Sequence, residues 1–388
     1  LKVFGLGKLA SRLRWLLRAL SIALIYAYLI PPRAQLQPVS NPYTVHSTSP
    51  KLCVHTRLTD EVEEWKIQYS LQLVREMGAT HIVEFFPWAY AQPTPSTYNW
   101  KHFDRLFKHS HEQGLRVIAR MGLVPSWAQT GAMNPTLNTL PHSAYPNFAQ
   151  FVADFAQRYQ TQLGGIIIWN EPNLSFEWGY HSVDAVAYVD LLRMTYAGVK
   201  HQAPSVPVLL AGLAPTLEPL NSPYGLNDLL YLEQIYQAGG EAYFDAVAIH
   251  TYGFTHPPDA PADRAHLNFR RVELLHAIME EYGDGDKPVI ITETGWNDNP
   301  SWVFSVKPSQ RIQYTLQALD IAERWEWLDQ MCLWVFRTPA PLNTYQDGFT
   351  LVSPTFIGDG LYSSLQQHTQ GQQNGEKLWL DPPRHGDE

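Results

Sequence analysis

The chain has 388 residues, with 28 Lys and Arg against 37 Asp and Glu, a formal charge of −9. Six of the basic residues (Lys2, Lys8, Arg12, Arg14, Arg18, Arg33) fall in the first 33 positions without an acid, so the remainder carries 22 basic against 37 acidic residues. An acidic body repels phosphate backbones and excludes nucleic acid as a partner, and 45% hydrophobic content excludes a disordered chain.

Residues 1–18 are basic, and residues 19–30, ALSIALIYAYLI, are uncharged and almost wholly apolar. A positive stretch before an apolar core of about 7–15 residues is the pattern of a signal peptide. A spanning helix needs about 20 apolar residues. The run Trp15 to Ile30 has 16 residues, interrupted by Arg18, and falls between the two. Residues 1–30 therefore read as a membrane anchor or as a signal peptide whose removal leaves a secreted protein. Either way the positive flank stays cytoplasmic and everything after Ile30 is expected outside the cytoplasm. A retained anchor carrying Arg14, Trp15 and Arg18 also suits docking against membrane helices of partner subunits. Residues 31–50 hold five prolines and no acid, and read as a semi-rigid tether reaching ~60 Å at 3.1 Å per residue. At the other end, residues 367–388 are rich in Gln, Gly and charge and are expected to be disordered.

Between residues 51 and 366, short apolar runs alternate with amphipathic stretches. The expected strands are 51–57, 80–86, 115–121, 165–170, 206–212, 244–250, 288–293 and 331–336. Each gap has room for one helix and two loops. Val, Ile and Leu dominate the runs, as a parallel sheet covered on both faces requires. The first helix is the best marked: Asp60 as its cap, Trp65, Ile67, Leu71, Val74 and Met77 at helical spacing, and Gly78 to end it. Eight β–α units in one domain predict an α/β fold of the (β/α)8 (TIM) barrel type. A doubly wound sheet would place a Gly-rich phosphate loop after its first strand, where this chain has His55-Thr56-Arg57.

In such a barrel the functional groups stand at the carboxyl ends of the strands. Those positions hold Phe86-Pro87-Trp88, Pro125-Ser126-Trp127, Trp169-Asn170-Glu171-Pro172, His250-Thr251-Tyr252, Thr292-Glu293-Thr294-Gly295-Trp296 and Trp334. Glu171 and Glu293, after strands 4 and 7, face each other across the barrel mouth. Two carboxyl groups flanking a sugar are what glycosidic cleavage needs, one protonated to donate to the leaving oxygen and one ionised to attack or to activate water. Neither role requires a metal or an organic cofactor. Flat indoles suit the apolar faces of sugars, so Trp88, Trp127, Trp296 and Trp334 are expected to contact substrate.

Asn-Glu-Pro after strand 4, His-x-Tyr after strand 6, Thr-Glu-x-Gly after strand 7 and a strand 8 Trp, in that order, resemble the clan A glycoside hydrolases, in particular families 39 and 5 and cellulase-like bacterial relatives. The resemblance covers residues 51–366. It implies a retaining β-glycosidase acting on oligo- or polysaccharide, with Glu171 as acid/base and Glu293 as nucleophile. It further implies Asn170 on the sugar 2-hydroxyl, Tyr252 touching the nucleophile, His250 supporting the site and Trp334 as the floor under the reacting sugar. Many relatives hold the nucleophile's charge with an arginine near the end of strand 2. Here that stretch reads His81-Ile82-Val83-Glu84-Phe85, which leaves Arg57 or Arg120 for the task.

The rival reading is a non-catalytic accessory subunit or carbohydrate-binding protein on the same architecture. His102, His109 and His111 lie on a helix without paired ligand spacing and read as a solvated face, not a metal site. Cys53 and Cys332 fall on strands 1 and 8, which close the barrel. Adjacent parallel strands rarely offer bridging geometry, so two free buried thiols are expected.

Overall fold

The computed structural model describes residues 12–22, 41–129 and 135–370. Residues 12–22 are helical, and among the described residues no helix is long and apolar enough to cross a membrane. Most of the apolar run 19–30, residues 31–40 of the expected tether and residues 371–388 of the expected tail lie outside the described residues.

Eight parallel strands close into a barrel in sequence order. They are β1 (Leu52–His55), β2 (His81–Pro87), β3 (Arg116–Gly122), β4 (Leu163–Ile168), β5 (Val208–Leu210), β6 (Ala246–His250), β7 (Val289–Thr294) and β8 (Leu328–Leu333). One principal helix follows each: α1 (Glu64–Glu76), α2 (Lys101–Glu112), α3 (Tyr145–Tyr159), α4 (Ala185–Gln202), α5 (Asp228–Gln237), α6 (Val272–Glu281), α7 (Pro308–Arg324) and α8 (Gly360–Thr369). The strands are almost continuously buried, as the apolar runs predict. Between β2, α2 and α3 the interlayer is aromatic: Phe86 packs edge-on to Phe103 and stacked on Phe107, and Trp88 stacks on Phe151.

Four expectations are corrected. Strand β8 starts at Leu328, three residues before the predicted Met331, because polar Asp329 and Gln330 interrupt the apolar run. Trp334 thereby lies just beyond the strand. Helix α1 starts at Glu64, and Asp60 serves a preceding 3-10 turn and pairs with Arg57. The ordered body is also longer than 51–366. Tyr43 donates its backbone N–H to the Glu112 carbonyl, and Thr48 donates to that of Thr369, so residues 41–50 lie along the barrel rather than forming a free tether. Thr369 is itself buried and donates its hydroxyl to the Met77 carbonyl. Finally, Cys53 and Cys332 form a disulfide. They are direct register partners across the β1–β8 seam with Cα atoms 4.1 Å apart, so the two closing strands bring the sulfurs together.

Candidate active site

Strand β4 ends at Ile168, and the next three residues leave the sheet sharply. Trp169 and Glu171 have φ of +78° and +40°, left-handed values that cost roughly 1–3 kcal/mol for non-glycine residues and cluster at functional sites. The kink is held from behind, because Glu171 donates its backbone N–H to the Gly212 carbonyl at 3.0 Å. The β7 end is irregular on both sides. The β6–β7 register shifts at His250, which pairs with Glu293, and the β7–β8 register shifts between Ile291 and Thr294. Such bulges re-aim a side chain beside an active site.

Glu171, His250 and Glu293 converge, with one ligand atom from each lying within 4.8 Å of the others. His250 Nδ1 is 2.8 Å from Glu171 Oε1 and 3.8 Å from Glu293 Oε2. The Tyr252 hydroxyl donates to Glu293 Oε2 at 2.8 Å. Arg120 Nη1 lies 3.6 Å from Glu293 Oε1 and donates to Asn170 Oδ1 at 2.6 Å. Burial alone would raise the Glu293 carboxyl. The neighbouring His250, His55 and Arg120 and the Tyr252 hydrogen bond together outweigh it, and the group stays below the usual carboxylate range. For His250 burial opposes the proton, but the two carboxylates prevail and raise it. The Tyr252 phenol is pushed well above its ordinary value by burial and by Glu293, so it remains a donor.

The charge expected from Arg57 or Arg120 therefore comes from Arg120. Arg57 is bound to Asp60 at 2.6 Å at the surface. Two indoles are also corrected. Trp88 is 0% exposed and donates to Gln92 Oε1, while Trp296 is 1% exposed and donates to the His256 carbonyl. Both sit near strand ends yet turn into the packed layer. Gly253 makes room for Trp296, since a Cβ there would come 1.8 Å from the ring. Trp334 and Trp127 are half-buried. Trp334 meets Phe349 edge-on at 5.5 Å, and Phe349 in turn meets Tyr252. Of the α2 histidines, His109 is buried between Glu64 and Glu112 at 2.8 and 2.7 Å, a helix-to-helix clamp rather than a solvated face.

Three groups at the site escaped sequence reasoning or were left open by it. His55 ends β1 with Nε2 3.7 Å from Glu293 and Nδ1 against the Thr56 carbonyl. Burial drives it down to about 3, so it is neutral at neutral pH. Its position at a strand end was the available signal. Glu177, in the loop after β4, accepts from Asn138 at 3.1 Å and is hydrogen-bonded by Asn170. Burial and the Glu171 carboxylate push it up to about 7. Nothing in the local sequence marks it. Asn170 is thus fixed with its oxygen toward Arg120 and a partner in Glu177. Glu84, buried under the β1 loop, accepts from the Thr56 hydroxyl and from the Leu58 and Thr59 amides, and anchors that loop.

Glu171, His250 and Glu293 also form a donor set of the kind a divalent cation takes. The guanidinium of Arg120 beside Glu293 and the His250–Glu171 hydrogen bond already serve these atoms, and a dication would sit against a fixed positive charge.

No protein-family model matches the sequence, and no curated protein matches it. Solved structures match in fold. A family 39 glycoside hydrolase from the gut symbiont Bacteroides cellulosilyticus WH2 superposes with a TM-score of 0.67 at 20% identity, over 82% of this chain and 63% of that one. A family 39 β-xylosidase from Caulobacter crescentus gives 0.58 at 17% identity, over 84% and 72%. A GH5_18 protein from Bifidobacterium longum subsp. infantis gives 0.61 at 14% identity, over 82% and 77%. The chain spans less than two thirds of the first of these. At such identities the likeness is one of fold, and it is the glycoside hydrolase barrel that the motifs at the strand ends resemble.

Proposed function

We propose that the protein is a retaining β-glycosidase that hydrolyses O-glycosidic bonds of an oligo- or polysaccharide by double displacement. The observation that carries this reading is the approach of Glu171 and Glu293 oxygens to within 4.8 Å at the mouth of the barrel. Retaining enzymes hold their carboxyl groups about 5–5.5 Å apart and inverting ones about 6.5–9.5 Å, to admit a water between them.

Glu293, kept ionised by Arg120, His250 and Tyr252, attacks the anomeric carbon. As that C–O bond forms, the bond to the leaving oxygen breaks, and Glu171 gives its proton to that oxygen. Glu171 is then a carboxylate and accepts a proton from water as the water attacks the same carbon, which releases Glu293. A second sugar competing with water would give transglycosylation. Asn170, oriented by Arg120 and Glu177, is assigned to the sugar 2-hydroxyl, and half-buried Trp334 to the floor under the ring.

We further propose, from the basic-then-apolar pattern of residues 1–30, that the barrel lies outside the cytoplasmic membrane, tethered or released according to the fate of that segment. The Cys53–Cys332 disulfide supports an oxidising compartment.

Aryl β-glycosides test the assignment. Glu293→Gln should reduce turnover by at least ~10³-fold. Glu171→Ala should cost ~10²–10⁴-fold on poor leaving groups and far less on activated ones. Near-normal activity in the first variant, or equal losses for both leaving groups in the second, removes the assigned role.

A further inference from the structure

The loops that follow β4 and β5 are stitched together beside Glu171. The Asn173 side chain, fully buried, donates to the Ala214 and Leu226 carbonyls and accepts from the Ala214 amide. Ser175 donates its backbone N–H to the Tyr224 carbonyl, and Leu174 bridges to Gly225. Leu174 also donates to the carbonyl of Glu171 itself, so this platform is continuous with the candidate acid/base.

On the platform lies a cavity of about 610 Å³, within the usual size of a ligand site. Its lining includes three aromatic rings held out toward solvent: Phe176 is 46% exposed, and Tyr180 and Tyr224 are each 71% exposed. Tyr180 is kept there by a left-handed backbone, φ +62°, next to Gly179 at +71°, and by donation of its N–H to the Ser175 carbonyl at 2.7 Å. Ser175, Thr216 and Glu218 add polar groups, and among the described residues that line it none is basic.

We infer that this groove binds the leaving-group side of the substrate and that its occupant is an uncharged saccharide. This rests on the glycosidase reading, in which the acid protonates the leaving oxygen and the leaving group lies on the acid's side. The groove begins three residues after that acid. Exposed rings interleaved with hydroxyls match a sugar ring, with its apolar C–H faces and equatorial hydroxyls. An acidic side chain without a cation disfavours uronic acids and phosphorylated glycans. The enzyme would then act on saccharide-to-saccharide bonds rather than on small aglycones.

The experiment compares kcat/KM for uncharged β-linked oligosaccharides of two to four units with kcat/KM for 4-nitrophenyl β-glycosides of the same sugar, in the wild type and in Tyr180→Ala/Tyr224→Ala. The ratio of saccharide to aryl kcat/KM should fall about tenfold or more in the variant. Restoring the rings as Tyr180→Phe/Tyr224→Phe should recover most of that loss. An unchanged ratio overturns the proposal. If the wild type turns over neither substrate, the glycosidase reading fails by itself. The groove is then judged by titrating Glu293→Gln with the same oligosaccharides. Binding that is lost when Tyr180 and Tyr224 are also replaced by Ala supports it, and absence of binding overturns it.

Discussion

At the residue scale, the site is an arrangement of charges around one carboxylate. Arg120, Tyr252 and His250 all face Glu293, whereas of these three Glu171 meets His250. Glu177 adds a third carboxyl that is neutral below about 7. Ionising it places a negative charge beside Asn170 and close to both glutamates. Activity should therefore fall as pH rises through about 7, and Glu177→Gln should shift that alkaline limb upward while leaving the acid limb in place. An unchanged kcat/KM profile against pH would remove Glu177 from the site's titration. Stability follows the opposite sign for the buried histidines. His55 and His81 lie at about 3 and about 4 when folded, so burial makes them bind protons less readily than the unfolded chain does. The stability they contribute is complete above about 6.5 and is lost as pH falls toward 4.

At the element scale, the apolar runs and the residues ending them located all eight strands, because a parallel strand buried on both faces must be written in Val, Ile and Leu. What the runs could not show is where a side chain points after a strand ends. Trp88, Trp296 and Trp334 all follow strands, yet only Trp334 remains accessible. The deciding contacts are tertiary: Gln92 for Trp88, and Gly253 and His256 for Trp296. The candidate pair was legible since both glutamates sit in short motifs at strand ends. Glu177 was not, since only the fold of the β4 loop returns it to Asn170. The site also sets a steric demand just beyond β5: a Cβ on Gly212 would come 2.4 Å from the His250 ring. Gly212→Ala should displace that imidazole, cut turnover by about ten- to a hundredfold and cost about 1–3 kcal/mol of stability. Wild-type turnover and thermal unfolding in this variant would show that His250 tolerates displacement.

At the scale of the whole molecule, closure is secured across one seam. Arg337, after β8, pairs with Glu61, after β1, and Cys53 and Cys332 join the strands themselves. The disulfide ties residues 279 positions apart, where removing a crosslink typically costs about 2–4 kcal/mol. Thiol titration of the unfolded, unreduced protein should find no free cysteine, and Cys53→Ser/Cys332→Ser should unfold at lower denaturant. Two free thiols would return the seam to packing alone and remove the support it lends to an oxidising location. The pairing was hidden from the sequence because a one-residue difference in register between β1 and β8 would have turned the two sulfurs to opposite faces.

The most direct test of two glutamates acting at one anomeric carbon is the stereochemistry of the first product. Proton NMR should follow the wild type acting on an aryl β-glycoside that it turns over. Double displacement through Glu293 predicts that the β-anomer appears first and mutarotates afterwards. Initial release of the α-anomer would contradict it, since a single displacement by water needs the wider pair of carboxylates.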